Sequence, residues 1–111
     1  MTITVKVLIP AKIAEAAQTT QYTATNLTAI IDKFTATNYS AAAATISVNL
    51  VTAADTAGNQ NLITKTKTLQ PSETYTFPEL VGHVLGANGF ISTIAGTATA
   101  INIRASGREV T

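Results

Sequence analysis

The sequence predicts an all-β fold, an antiparallel β-sandwich or jelly roll with an N-terminal arm, and three observations point to it. Apolar and polar residues alternate with a period of two, most clearly in Thr45-Ile46-Ser47-Val48-Asn49-Leu50. Seven or eight short segments rich in Thr, Val and Ile are separated by Gly, Pro, Asn and Asp turns. Only 12% of the 111 residues are charged, about half the usual share, and 21 Thr and 19 Ala stand where Lys and Glu normally sit.

The elements follow in order. Residues 1–18 read as a strand or arm: Ile3, Val5 and Val7 share one side, while Thr2, Thr4 and Lys6 share the other. Ala11 to Gln18 has helix propensity, but eight residues are too few to hold a helix alone, so a short helical turn or a connecting arm is expected. No basic leader with a long apolar run and small-residue cleavage site is visible, so no secretory signal is expected. Residues 19–111 read as the sandwich, one domain overall, with strands near Gln21–Thr25, Ala29–Thr37, Ala44–Ala53, Leu62–Leu69, Glu73–Phe77, Phe90–Ala95 and Ala98–Ala105. Asp55 to Asn61 reads as a polar loop, Gln70-Pro71-Ser72 as a tight turn, and Gly86-Ala87-Asn88-Gly89 as a turn whose Asn-Gly pair suits positive φ. Lys65 and Lys67 interrupt an otherwise strand-favouring segment, which marks 62–69 as an edge.

Composition bounds the chemistry. The absence of cysteine removes disulfides, thiolate metal sites and a cysteine nucleophile. A single histidine excludes a multi-histidine metal centre within one chain. A formal charge of +1 with scattered basic residues argues against nucleic acid as partner, and no apolar run approaches the ~18 residues of a membrane span. At 11.5 kDa, the area scaling gives about 5,800 Å² exposed when folded against about 16,700 Å² unfolded, enough for one modest core.

Individual candidates are weak. His83 is the one ordinary general base near neutral pH, but no nucleophile elbow pairs it with Ser40, Ser47, Ser72, Ser92 or Ser106, or with Asp32 or Asp55. Asp55-Thr56-Ala57-Gly58 approaches an aspartic-protease signature with an Ala inserted, and Asp55, Asn59 and Asn61 lack the spacing of an EF-hand; a hairpin loop is the better reading. Glu73 and Glu79 form the carboxylate pair a glycosidase would need, yet they read as surface acids. Phe34, Phe77 and Phe90 are assigned to core, and Tyr22, Tyr39 and Tyr75 to core edge or subunit contacts. Asn26-Leu27-Thr28 and Asn38-Tyr39-Ser40 match the glycosylation pattern by chance.

The stretch Pro71-Ser72-Glu73-Thr74-Tyr75-Thr76-Phe77-Pro78-Glu79-Leu80-Val81-Gly82-His83-Val84-Leu85, then Gly86, Phe90-Ile91-Ser92 and the closing Ile101 to Glu109, carries a resemblance. So do Tyr22-Thr23-Ala24, Thr28 to Ile31 and Asn38 upstream. Over roughly residues 20 to 110 the chain resembles small tailed-bacteriophage virion proteins, β-sandwich chains that share a "P-x-E-T-Y … L … G-x-x-L … G … I" pattern and a terminal "G-x-E". The resemblance implies a structural role in the virion, without a cofactor or a catalytic residue. The expectation is a capsid decoration or cement protein that stabilises the shell by bridging capsid subunits; the alternative within the resemblance is a tail, head-tail or head-fibre component, and the alternative from another class, apart from the resemblance, is a host-surface carbohydrate-binding module. The expected partners are the major capsid protein, other virion proteins and further copies of the chain as a trimer or dimer. Contact residues are expected in the first segment, at Val5, Val7, Ile9 and Ile13, and around Tyr75, Phe77, Glu79 and His83. A weakly charged surface fits a subunit that is covered in an assembly.

Overall fold

The alternating segments form nine strands: β1 (Ile3–Ile13), β2 (Thr19–Thr23), β3 (Thr28–Asn38), β4 (Ala44–Val51), β5 (Leu62–Leu69), β6 (Thr74–Tyr75), β7 (Val84–Leu85), β8 (Phe90–Ala95) and β9 (Ile101–Val110). In the computed structural model, which describes residues 1–111, they build two antiparallel sheets. The first runs β1-β9-β3-β6, with β7 also on the outer side of β3; the second runs β2-β8-β4-β5. The chain crosses between sheets at six of its eight connections, and the two facing antiparallel sheets are the sandwich the alternation predicts. Its accessible surface is 5569 Å², close to the value its mass requires for a compact monomer.

The core lies between the sheets. Phe34, Ile31, Ala36, Ile101, Ile103 and Ala105 come from the first, Ile46, Val48, Ile91 and Leu69 from the second, and Phe77 and Leu80 from the loop after β6. Each large aliphatic or aromatic side chain in this layer contributes about 1.5–3 kcal/mol by leaving water. Phe77 meets Phe34 edge-on at 4.8 Å between ring centroids and Tyr75 at 4.7 Å. Of the three phenylalanines, Phe34 and Phe77 are fully buried and Phe90 is half-buried.

Several boundaries differ from expectation. Ala11 to Gln18 holds no helix: β1 continues to Ile13, and the N–H of Ala14 donates to Ile101 O at 2.8 Å. Pairing across the sheet outcompetes a helix too short to nucleate. The first eighteen residues therefore supply an integral strand and the crossing to the second sheet, and do not form a detached arm. Shifts of register between Val7 and Ile9 and between Ile9 and Lys12 bend this strand, and Pro10, which has no N–H to give, sits in the bend.

Glu73–Phe77 shrinks to a two-residue strand, a further two-residue strand appears at Val84–Leu85, and the last strand runs to Val110 instead of ending at Ala105. The extension depends on Gly107. A Cβ there would run into the carbonyl oxygen of Ile30 and into Leu8 Cδ1, so only glycine lets β9 pass between β1 and β3 at this point. The edge assignment of residues 62–69 holds: β5 flanks β4 alone. The turns follow their chemistry, with Asn88 at φ 65° and Gly89 N–H donating to Gly86 O at 2.9 Å.

Candidate functional site

The fold scatters the candidate catalytic groups. His83 lies in the exposed turn before β7 and bonds through its backbone, its N–H donating to Leu80 O at 3.2 Å and its carbonyl accepting from Ile31 N–H at 3.0 Å. Three of the five serines serve other partners. Ser40 donates to Asn38 Oδ1 at 2.7 Å, Ser47 Oγ accepts the Thr66 N–H at 2.8 Å, and Ser92 accepts from Gln18 Nε2 at 2.7 Å. Asp32 holds Arg108 at 2.8 Å on the surface, and the guanidinium keeps its carboxyl below the usual range. Asp55 folds its own loop, accepting the Thr56 N–H at 2.8 Å. No three of the chain's His, Asp and Glu residues come together as a metal-binding group.

Glu73 and Glu79 are likewise occupied. Glu73 accepts the Gln70 N–H at 2.7 Å and closes the turn at Pro71. Glu79 accepts from Tyr75 OH at 2.7 Å and from the Thr64 hydroxyl of β5. Burial pushes the Glu79 carboxyl up, but the bonds from Thr64 and Tyr75, with Lys67 nearby, outweigh it and hold the group below the ordinary range. Lys67 lies 4.6 Å from the centre of the Tyr75 ring. This cluster ties the edge strand of the second sheet to the segment that closes the first. It is a clamp between sheets, with Phe77 pinned beneath it.

Two of the residues expected to meet a partner are therefore corrected. Phe77 and Ile9 have no exposed surface; Phe77 takes the core place also expected of it, between exposed Thr76 and Pro78, and Ile9 follows buried Leu8 at the break in the β1 register, where two successive side chains are buried. Tyr75 and Glu79 are half-buried and bonded to each other, which leaves His83 as the exposed member of that group. In β1, Val5 is 85% exposed, with Val7 and Ile13 exposed as well.

That exposure reveals what the alternation left undecided. Ile3, Val5 and Val7 lie opposite Val110, Arg108 and Ser106, on the face of the first sheet turned away from the core. Ile30 lies across β9's Arg108, with Val84 beyond it on the same face. An apolar band of Ile3, Val5, Val7, Val110, Ile30 and Val84 thus crosses the outer face at one end of the molecule, interrupted by the Asp32–Arg108 pair. The second sheet differs. On its outer face Gln18 bridges Ser92 and Asn49, and Asn49 donates to Asn61 Oδ1 at 2.8 Å and to Gly58 O at 3.0 Å.

One sheet face is closed by its own polar groups, and the other leaves aliphatic side chains in water. Period-two spacing in residues 3–7 signalled a strand but carried no information about which side would be covered. The contributions of Ile30, Val84 and Val110 to the band were missed because they come from three separate strands.

No family model, no curated protein and no solved structure matches this chain, so its functional reading rests on its residues and their arrangement.

Proposed function

We propose that this chain is a structural protein of a tailed-bacteriophage virion, a capsid decoration or cement protein that stabilises the shell by bridging capsid subunits. The observation that carries the reading is the outer face of the first sheet. A weakly charged chain leaves Ile3, Val5, Val7 and Val84 exposed on the outer face of one sheet, and exposed apolar side chains gathered on one face mark a contact surface. The sequence resemblance supplies the virion class, and the fold it implies is the one observed. Ser40, Ser47, Ser92, Glu73, Glu79 and Asp55 spend their side chains on contacts within the fold, which favours a binding role for the exposed face.

The mechanism is mass action: a subunit that binds only the assembled shell stabilises the shell by its binding free energy, and many weak contacts add through multivalency. The carbohydrate-binding alternative is disfavoured by the tyrosines, because Tyr22 donates to Glu109 at 2.6 Å and Tyr75 to Glu79, leaving Tyr39 as the exposed ring. The test is particle stability. Particles assembled without this chain are expected to rupture at lower temperature than complete ones, and adding back the purified protein restores them. Equal rupture temperatures would refute a cement role.

A further inference from the structure

We infer that β1 is a self-complementary edge on which two copies of this chain pair, two-fold and antiparallel about Val5, joining their first sheets into one continuous sheet. This names the partner of the apolar band and so deepens the assembly reading, which it rests on only for the band's purpose; pairing is measurable on the isolated protein.

Half of the backbone groups along residues 2–7 have no partner on the neighbouring strand. Thr2 and Thr111 exchange both of their N–H···O bonds, each at 2.9 Å. In an antiparallel ladder such doubly bonded pairs alternate with pairs that make no bonds to each other. Thr4 and Lys6 therefore bond toward β9, while Ile3, Val5 and Val7 direct their N–H and C=O groups to the open edge. The residues with free backbone groups are thus the same ones that present exposed aliphatic side chains.

The other sheet edges are blunted in ways this one is not. β5 carries Lys65 and Lys67, β6 and β7 are two residues each, and the five-residue β2 has its register broken between Thr20 and Tyr22. Residues 3–7 hold no proline, and their one charge, Lys6, is already 3.9 Å from Glu109 of its own chain. A long edge without protection is a template for another strand.

Geometry then selects the occupant and the register. About a two-fold axis at Val5, Val5 faces Val5 and Ile3 faces Val7 of the second copy, so all three outward-bonding residues pair and only aliphatic side chains meet on the outer face. Thr4 faces Lys6 on the opposite side, and each copy brings its own Glu109 to balance its lysine. Centring on Val7 instead would pair Val5 with Ile9, past the break in register and beside Pro10. The pairing spans five residues, about 17 Å, and buries less than the ~1,200 Å² of a standard interface. A dimer that dissociates on dilution is the consequence, strengthened when copies are held together on a larger assembly.

The experiment is sedimentation velocity over a concentration series, with cysteine crosslinking to read the register. The wild-type mass should rise with concentration from 11.5 kDa toward twice that value, and Val5→Lys, on a side chain 85% exposed, should remain monomeric with its thermal unfolding unchanged. Because the chain has no cysteine, single substitutions are unambiguous. Val5→Cys should form a disulfide dimer on oxidation, since the paired Cα atoms would lie about 5.5 Å apart. Val7→Cys should not, its two copies being about 14 Å apart along the strand. Crosslinking through Val7→Cys in place of Val5→Cys, a trimer, or a wild type that stays monomeric throughout would each overturn the proposal. A monomer that is nonetheless present in particles would refute the pairing alone, while a dimer absent from particles would refute the virion role alone.

Discussion

Phe77 offers a test in which two effects of opposite sign are separable. Its ring is fully buried against Phe34 and Tyr75, while its backbone sits at φ 41°, in the left-handed region that disfavours bulky residues. Removing a buried Phe costs about 3–5 kcal/mol, within the roughly 6–17 kcal/mol total stability usual for 111 residues, so Phe77→Ala should still fold. Alanine keeps the left-handed penalty of about 1–2 kcal/mol, whereas glycine escapes it and gives back about 0.4–1 kcal/mol through the unfolded chain. Phe77→Gly should therefore be as stable as Phe77→Ala or up to about 1.5 kcal/mol more stable, the reverse of the order at an ordinary strand position. Urea unfolding of the three proteins, compared at constant m, measures both quantities. A loss below about 1 kcal/mol in Phe77→Ala would refute the packing of the ring. A glycine variant clearly less stable than the alanine variant would refute the backbone argument.

Three further outcomes follow from particular contacts. Gly107→Ala should cost about 2–3 kcal/mol in urea unfolding, since its Cβ meets the Ile30 carbonyl, which cannot move aside without breaking the β3–β9 ladder. Asn38→Ala should cost about 2–3 kcal/mol, because buried Asn38 donates to Ala42 O at 2.8 Å and Leu69 O at 3.0 Å and accepts from Ser40 N–H at 2.9 Å; a change under 0.5 kcal/mol, within the usual surface range, would contradict that role. Glu79 is held below its ordinary value of 4.5, so its contribution is complete above that pH and is lost as pH falls through the lower folded value. Unfolding free energy should decline on acidification below pH 4.5, with a shallower slope in Glu79→Gln, and an unchanged slope would show that the carboxylate does not clamp β5.

Much of the fold was legible because the strands alternate and their turns carry specific chemistry. β5 and β8 fall at their expected bounds, β3 and β4 within two residues, and the lysines of β5 marked a true edge. What failed was what alternation does not encode. The helix propensity of Ala11 to Gln18 is local, while the partner that keeps Ala14 in register, Ile101, is 87 residues away. Glu79 read as a surface acid, yet it is half-buried and accepts from Tyr75 of its own segment and from Thr64 on the other sheet, a partner that no spacing along the chain announces. The apolar band could not be read from one segment, since four strands each supply a part of it.

A subunit of a virion shell must be present at a copy number set by that shell. Quantitative mass spectrometry of gradient-purified particles, normalised to the major capsid protein, is predicted to find the chain at a copy number near that of the capsid subunit. A few copies or about a dozen would place it in the tail or neck instead of on the shell, and its absence from particles would contradict the account.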